Sequence, residues 1–380
     1  MLKKIIITLL SLVSFIGAGF AEELAESAKS AILIEASTGK VLYEKNADEA
    51  LAPASMTKIM TLLLTMEAVD RGQIKLDDMV RVSENAAGMG GSQVFLEANT
   101  EYRLEDMIKA VTIASGNDAS VVLAEAIGGS EANFVEMMNK RAKELGLTAT
   151  NFVNPYGLDA DGHLSSARDM SIMARELIKH ELILKYSSIY EEYLKKPDGT
   201  NTWLVNTNKL VRYYKGVDGL KTGFTTNSMY CLTATGLWNG MRIISVVMGE
   251  PTQDARTNDT VALLNYGKSA YKLNTILEKD KTLGTIDIEI GDKLKGEVVL
   301  MEEAVDLVKN NNDELNYTYK IKTESQVAPI KVGDKVGTID IYKDKEKIMT
   351  MDLTVKESIK KCSIWTLFKR VLGSVILGSD

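Results

Sequence analysis

The spacing of apolar residues along the chain predicts a mixture of strands and helices in its first part. Residues 31–36 and 40–45 are short apolar stretches joined by Ser37-Thr38-Gly39, a pattern typical of a β-hairpin. Apolar residues then recur at helical spacing, which predicts helices over 56–69, 104–114, 120–127, 131–145 and 167–178.

After residue 218 the pattern changes to that of strands. Apolar runs at 229–236 and 241–249 flank Asn239-Gly240, a dipeptide that strongly favours a tight β-hairpin. A helix predicted over 260–273 follows them. Strands at both ends of this region and helices between them predict an α+β domain over 27–272, in which helices flank an antiparallel sheet.

The region after residue 275 alternates apolar and polar residues with a period of two. The alternation is clearest at 315–322 and 349–355, and Gly-Asp pairs at 291–292 and 333–334 supply turns. Short alternating segments separated by turns predict a small β-sandwich-like domain over 275–355.

The end of the chain has the pattern of an amphipathic helix, predicted over 358–378. Lys361, Lys369 and Arg370 lie off its apolar face. That face comprises Ile364, Trp365, Phe368, Val371, Leu372, Val375 and Ile376. We expect this basic helix to lie in a membrane interface as a peripheral anchor. The alternative is that its apolar face docks on the β domain or in a dimer.

The first residues have the pattern of an export signal. Lys3 and Lys4 precede an apolar run at 5–16 and a cluster of small residues that ends at Ala21. This predicts a cleaved signal peptide over 1–21; an uncleaved anchor is the alternative, although the apolar run is short for a bilayer span. We therefore expect an exported protein at the outer face of the cytoplasmic membrane.

Composition narrows the classes of function. The net charge of −7 provides no electrostatic footprint for nucleic acid. Cys231 and Cys362 are the only cysteines and lie far apart, so a structural disulfide is not expected. With two cysteines and two histidines, neither a metal site of the zinc type nor a cofactor is expected.

One Ser-x-x-Lys motif has the context that nucleophilic catalysis requires. The motif occurs three times, but only Ser55 and Lys58 open a strongly apolar helix. The spacing i, i+3 places both side chains on one helix face, and burial disfavours the ammonium form of a lysine. Lys58 can then act as the base for a Ser55 nucleophile. A helix-capping serine followed by a surface lysine is the alternative.

A second motif, Ser115-Gly116-Asn117, lies between two predicted helices. Its hydroxyl and amide can face the same cleft, where Ser115 would relay a proton and Asn117 would hold a substrate amide. Helix capping is the alternative role for such residues.

A third motif, Lys221-Thr222-Gly223, precedes the second hairpin. Lys221 and Thr222 offer a cation and a hydroxyl to a carboxylate, and Gly223 permits close approach of a substrate backbone. The N–H groups of Ser55 and Phe224 would form an oxyanion hole, and the charge of Lys221 would lower the pKa of Lys58. Taken alone, such a tripeptide is more often a surface turn.

In this order the three motifs resemble the signature of penicillin-binding proteins and class A β-lactamases. Residues 52–58, 115–119, 157–169 and 218–223 resemble the low-molecular-mass D-alanyl-D-alanine carboxypeptidases, and the likeness covers nearly the whole chain. It implies a serine peptidase that removes the terminal D-alanine from peptidoglycan pentapeptide stems through an acyl-enzyme and that β-lactams inhibit.

The resemblance also implies residue roles. Ser55 would attack the carbonyl of the penultimate D-alanine and Lys58 would accept its proton. Arg256, placed by the sequence in a polar loop before a helix, resembles an arginine that helps to bind the terminal carboxylate. His163 is assigned a structural role.

Two other readings remain open on the same residues. One is a β-lactamase of the same fold, although no Glu-x-x-Leu-Asn motif lies between Asn117 and Lys221. The other is a catalytically silent protein that binds the cell wall. Endopeptidase activity, the role of the β domain and the oligomeric state are left undetermined by the sequence.

Overall fold

The structure is a computed structural model that describes residues 24–311 and 315–377, and the side chains of the last segment up to residue 372. The expected signal peptide, 1–21, lies outside the described residues. A 3-10 helix, Ala54–Thr57, precedes the first α-helix. The α-helices are α1 Lys58–Asp70, α2 Glu84–Ala87, α3 Leu104–Ala114, α4 Asn117–Gly128, α5 Glu131–Glu144, α6 Ala167–Leu177, α7 Glu181–Ser187, α8 Leu210–Tyr213, α9 Gln253–Ala270 and α10 Ile364–Leu377.

The strands fall into two groups along the chain. Those before α9 are β1 Ser30–Glu35, β2 Val41–Lys45, β3 Met79–Arg81, β4 Glu101–Arg103, β5 Glu191–Lys195, β6 Asn201–Val205, β7 Val217–Thr225, β8 Met229–Trp238 and β9 Met241–Glu250. Those after it are β10 Tyr271–Leu277, β11 Gly284–Glu289, β12 Lys295–Leu300, β13 Ala304–Lys309, β14 Tyr317–Thr323, β15 Gln326–Val327, β16 Gly337–Lys343 and β17 Glu346–Val355.

The first domain is built on a five-stranded antiparallel sheet in the order β2-β1-β9-β8-β7. Successive side chains of a strand point to opposite faces of the sheet, so each strand contributes side chains to the core on either side. Ile32 and Val246 join the core on the side of α1 and α6, whereas Leu33 and Val247 pack with α9 on the other side. Helices on both faces of an antiparallel sheet confirm the predicted α+β class.

Helix α9 differs from its predicted bounds. It begins at Gln253 rather than near residue 260, because the Thr252 side chain accepts a hydrogen bond from the Ala255 N–H and caps the helix. Its first two turns are mostly polar, so they carry little apolar periodicity. Arg256 therefore lies in a helix and not in a loop as expected. The helix ends at Ala270, and Tyr271 already belongs to β10.

The C-terminal domain is all β, as predicted. Six strands form a sheet in the order β14-β16-β17-β12-β11-β15, and β10 pairs with β13. Apolar side chains from both sheets meet in one core, in which Leu277 and Ala304 pack with Leu300, Ile339 and Leu353.

A buried carboxylate joins the two domains. Asp306 on β13 accepts hydrogen bonds from Lys40 Nζ at 2.7 Å and from Lys343 Nζ at 2.8 Å. Lys40 belongs to the turn between β1 and β2, whereas Lys343 ends β16. The carboxylate side chain is only 2% exposed, so the contact is shielded from solvent.

Helix α10 begins at Ile364, six residues after its predicted start, because the Ser363 side chain accepts from the Thr366 N–H. Its apolar residues are largely exposed: Ile364 by 86% and Trp365 by 75%. The helix contacts the β domain through Arg370, which donates to the carbonyls of Gly291 and Asp292. Within the described side chains, Ile364, Trp365 and Phe368 are thus not covered by the β domain. Among the described residues, no helix has both the length and the hydrophobicity to cross a bilayer.

Candidate active site

Ser55 lies on a tight turn that two other segments hold in place. Ala54, in the 3-10 helix, has φ +47°, so the backbone bends sharply before α1. A Cβ built on Gly157, where φ is +89°, would lie 1.9 Å from the Ala54 carbonyl oxygen. One built on Gly223 of β7 would lie 2.9 Å from the Pro53 oxygen. Both glycines therefore permit backbone to pack directly against the serine turn.

Lys58 is the hub of the site and its side chain has no exposure to solvent. Its Nζ lies 2.9 Å from Ser55 Oγ, 2.7 Å from Asn117 Oδ1 and 2.6 Å from the Tyr156 carbonyl oxygen. A neutral amine has two N–H groups and one lone pair. Because the two carbonyl oxygens can only accept, they take both N–H groups, and the lone pair is left for the Ser55 hydroxyl.

The electrostatic environment favours that neutral amine. Burial lowers the pKa of Lys58 well below its usual value, and the charge of Lys221 lowers it further, whereas Asp118 opposes both effects. Lys58 is therefore suited to accept a proton from Ser55 near neutral pH.

The Tyr156 carbonyl is held at Lys58 by a rigid turn. Asn154 Oδ1 accepts from the N–H groups of Tyr156 and Gly157, and Thr61 Oγ1 donates to the Pro155 carbonyl oxygen. The sequence marks this turn only as a break between helices, so the contact of its backbone with the base could not be predicted.

The segment that carries Ser115 and Asn117 lies between α3 and α4. Ser115, only 3% exposed, has φ +63° and lines the cleft. The Asn117 amide also donates to the Gly90 carbonyl oxygen, and buried Asp118 accepts from the N–H groups of Val94 and Leu96. Asn117 and Asp118 thus fix the loop at the cleft edge, a structural role that the sequence did not indicate.

Lys221 and Thr222 lie on β7, the edge strand that faces Ser55. Lys221 is 1% exposed and donates to the Thr222 carbonyl oxygen at 3.0 Å. Burial, with a further contribution from Arg256, lowers its pKa to about 7. Thr222 Oγ1 donates to Thr207 Oγ1 at 2.7 Å, which orients the threonine hydroxyl at the cleft.

Arg256 is 6% exposed, and its Nε has no hydrogen-bond partner among the described residues. Its guanidinium lies 5.9 Å from the centre of the Tyr230 ring, which in turn stacks on Phe224 at 4.4 Å. Burial lowers the pKa of Arg256, so an anion in the cleft would satisfy both its charge and its free donor.

His163 supports the site from behind. Its Nδ1 accepts from the Val153 N–H, so Nε2 carries the proton and donates to Thr57 Oγ1 at 2.7 Å. Burial lowers the pKa of His163 to about 4, and the ring is neutral at physiological pH. Its contact with Thr57, next to Lys58, agrees with the structural role expected from the sequence.

All nine predicted site residues meet at one cleft of about 430 Å³. Those that line it directly are Ser55, Ser115, Thr222, Gly223, Phe224 and Arg256. Lys58, Asn117 and Lys221 are buried beside these residues. Other lining residues carry no motif and were missed: Ser92, Val205, Asn206, Thr207, Lys209, Tyr230 and Gln253. Among the described residues, no His, Cys, Asp or Glu cluster is arranged to hold a metal ion.

Comparison with known proteins agrees with this geometry over both domains. A family model described as D-alanyl-D-alanine carboxypeptidase matches residues 19–252, and one described as the C-terminal domain of penicillin-binding protein 5 matches 271–361. The D-alanyl-D-alanine carboxypeptidase DacF of Bacillus subtilis is 46% identical over 383 residues, which cover 98% of each chain.

Solved structures show the same relationship. Penicillin-binding protein 5 of Haemophilus influenzae superposes with a TM-score of 0.71 at 32% identity, covering 88% of this chain and 98% of that one. Penicillin-binding protein D2 of Listeria monocytogenes, in its ampicillin-bound form, gives a TM-score of 0.57 at 32% identity and covers 64% of this chain and 98% of that one. The chain belongs to the D-alanyl-D-alanine carboxypeptidase family.

Proposed function

We propose that this protein is a serine-type D-alanyl-D-alanine carboxypeptidase in which Ser55 is the nucleophile and Lys58 is the general base. The observation that carries the proposal is the 2.9 Å contact between Ser55 Oγ and the buried Lys58 Nζ, whose two other partners are acceptors only. This arrangement leaves the amine lone pair for the serine proton.

The reaction proceeds through an acyl-enzyme. Ser55 Oγ attacks the carbonyl carbon of the penultimate D-alanine while its proton moves to Lys58. The oxyanion that forms accepts from the N–H groups of Ser55 and Phe224. The C–N bond then breaks, and the leaving amine of the terminal D-alanine receives the proton from Lys58 through the Ser115 hydroxyl. Water hydrolyses the ester and regenerates Ser55.

Substrate recognition rests on the terminal carboxylate. Thr222 and Arg256 line the same cleft as Ser55, and Lys221 is buried beside them. The unpartnered Arg256 Nε is a donor suited to a carboxylate. The Thr222 hydroxyl becomes a second donor when the carboxylate replaces Thr207 Oγ1 as its acceptor. Asn117, already bonded to Lys58, is placed to receive the substrate amide as well.

β-Lactams acylate Ser55 as a substrate does, but the acyl-enzyme that they form is hydrolysed slowly. Their strained amide offers Ser55 the same carbonyl, and the carboxylate next to it occupies the place of the D-alanine carboxylate. Neither a glutamate motif in the sequence nor an acidic side chain among the residues that line the cleft provides a second base for rapid deacylation. Long-lived acylation, and hence inhibition, is the expected outcome.

The cellular location follows from the two ends of the chain. Residues 1–21 direct export, and α10 anchors the protein at the outer face of the cytoplasmic membrane. Support for the anchor comes from the exposure of Ile364, Trp365 and Phe368 together with the exposed basic residues Lys361 and Lys369. Deletion of residues 364–380 should release the protein from vesicles of anionic lipid, and retention on the vesicles would exclude this role.

A labelling experiment tests the catalytic assignment. A fluorescent penicillin should form a stable covalent adduct with the wild type and none with Ser55→Ala, which should still fold. Mass analysis of a pentapeptide ending in D-Ala-D-Ala should show loss of one alanine. Rapid release of the label would indicate a β-lactamase, and absence of both labelling and hydrolysis would indicate a catalytically silent protein.

A further inference from the structure

Two aromatic side chains lie exposed on a hairpin beside the cleft. Strands β5 and β6 form this hairpin, and Tyr193 and Trp203 are direct cross-strand partners. Tyr193 is 65% exposed and Trp203 57%, whereas the neighbouring Leu194 and Leu204 are buried. The hairpin therefore directs its leucines inward and presents the two rings on its outer face. Large aromatic rings on a surface are a frequent mark of an interaction site.

The outer face of the hairpin continues into the cleft. Val205 lies two residues after Trp203 and so on the same face, and it lines the cleft directly. The opposite segment leads to the same place, since Ser92 lines the cleft and Phe95, three residues later, is 65% exposed. Lys196 Nζ donates to the Phe95 carbonyl oxygen, which ties that segment to the hairpin. The aromatic rim, defined as Phe95, Tyr193 and Trp203, thus adjoins the peptide site.

The chemistry of this rim fits a saccharide. Opposed side chains on antiparallel strands lie about 5 Å apart at Cβ, so Tyr193 and Trp203 together present a platform of roughly the size of a pyranose ring. The electron-rich face of an aromatic ring attracts the weakly positive C–H groups of a sugar. The remaining outward residues of the hairpin are Glu191, Lys195 and Asn201, which balance in charge and offer polar groups to hydroxyl and acetamido substituents.

We propose that the aromatic rim binds the glycan strand to which the stem peptide is attached, so that the enzyme holds sugar and peptide at once. The inference rests on the proposed function, because a stem peptide in the cleft brings its own polysaccharide to the rim. It adds a second contact between enzyme and polymer, and such a contact raises the local concentration of stem peptides at Ser55.

The first test measures binding without catalysis. Glycan strands stripped of all stem peptides by an amidase are the probe, and full-length Ser55→Ala is the parent protein. Adding Tyr193→Ala and Trp203→Ala should weaken binding roughly tenfold, the effect of losing two stacking rings. Trp203→Tyr should bind within about twofold of the parent because it keeps a ring. Tyr319→Ala, a half-exposed aromatic on β14 of the other domain, should not change binding. Unchanged binding by the double variant would overturn the proposal.

The second test separates binding of the glycan from folding and chemistry. With Ser55 intact, the double variant should lose roughly tenfold in kcat/KM on polymeric strands bearing pentapeptides, and keep its kcat/KM on the free pentapeptide. An equal loss on both substrates would show that the rings serve only to stabilise the hairpin. If the wild type failed to hydrolyse the free pentapeptide, the proposed function would fall, while the binding test with Ser55→Ala would still decide the role of the rim.

Discussion

Two lysines share one dry pocket at the centre of this protein, and their charges are linked. Lys58 is made a weak base first by burial and then by the charge of Lys221, while Lys221 is held near a pKa of about 7 by burial and by Arg256. A positive charge on one of these groups lowers the pKa of a neighbouring lysine. Arg256 keeps its charge, and a proton taken up by either lysine raises the acidity of the other, so the pocket is sensitive to pH.

Replacing Lys221 by glutamine should shift the acid limb of the pH profile of the acylation rate to higher pH. Lys221 carries its charge below about pH 7, and the loss of this charge removes a repulsion that lowers the pKa of Lys58. The pKa of Lys58 should rise, and the limb should shift to higher pH by roughly one unit. The rate of penicillin acylation between pH 4 and 9 (about the range of a stable fold) measures this. Lys209→Gln, a change at an exposed cleft lysine, is the control, and an unmoved limb in Lys221→Gln would contradict the coupling.

Substitution of His163 by phenylalanine should weaken the fold without changing the catalytic pH profile. The Thr57 hydroxyl and the Val153 N–H would lose their partner, at a cost of about 2 kcal/mol. In the wild type the folded ring has a pKa of about 4 against 6.5 when unfolded, so stability falls as pH drops through that window. Urea unfolding at several pH values should show that the free energy of unfolding depends less steeply on pH in the variant than in the wild type. Loss of an acid limb of activity would instead make His163 a catalytic group.

At the level of elements, the turn before α1 depends on contacts between backbones. Gly157 packs against this turn at the Ala54 carbonyl, and Gly223 packs against it at the Pro53 carbonyl. Backbone packing at these two glycines therefore helps to fix the position of Ser55.

Gly157→Ala should abolish most acylation. The added methyl group would lie 1.9 Å from the Ala54 oxygen, so the serine turn must move. A drop of roughly 100-fold in the acylation rate is expected, as for a misplaced oxyanion hole. Gly162→Ala is the matched control, since φ is +78° there but the nearest atom to a Cβ is 3.7 Å away. Both variants should be destabilised by about 1 kcal/mol through backbone strain. Equal acylation rates in Gly157→Ala and Gly162→Ala would contradict the role of Gly157 in holding the serine turn.

Sequence patterns predicted most elements because apolar periodicity reports burial directly. The hairpins around residues 37–39 and 239–240 and the helices α1, α3 and α5 lie close to their predicted positions. The start of α9 was missed since its first turns are polar, and a capping threonine is a weaker signal than apolar spacing. For the site, the three motifs held seven of the nine residues that the fold brings together, and only Phe224 and Arg256 lie outside them.

Residues that enter the site through their backbone could not be predicted in this way. The Tyr156 carbonyl, which binds Lys58, depends on a turn held by hydrogen bonds with Asn154 and Thr61. The residue types in this turn do not indicate in the sequence that its backbone will contact Lys58. Val205, at the end of β6, and Thr207, two residues later, also line the cleft, although no motif marks them. Long-range packing, and not local pattern, places these groups.

At the scale of the whole molecule, the hydrogen bonds of Asp306 link the two domains. Burial would raise the pKa of this carboxyl, but the hydrogen bonds from Lys343, Lys40 and Tyr317 outweigh burial and lower it. Because the folded pKa is below the unfolded one, the contact stabilises the protein above the unfolded pKa and is lost as pH falls through the folded value.

Asp306→Asn should loosen the junction between the domains. The loss of the charge should reduce stability by about 2 kcal/mol and should speed limited proteolysis around residues 270–271, where α9 passes directly into β10. Penicillin acylation should remain unchanged, since Asp306 does not line the cleft. Asp340→Asn is a fitting control because its lysine partners, Lys322 and Lys347, both lie within the β domain. Equal proteolysis rates in the two variants would contradict a junction role.

The glycine contacts around Ser55 also bear on how resistance to antibiotics can arise. Because the serine turn packs against the backbone at Gly157 and Gly223, a substitution that moves this turn would disturb the reaction with the drug and with the cell-wall peptide alike. Variants that discriminate between drug and cell-wall peptide must therefore change the outer walls of the cleft, among them Tyr230 and Lys209.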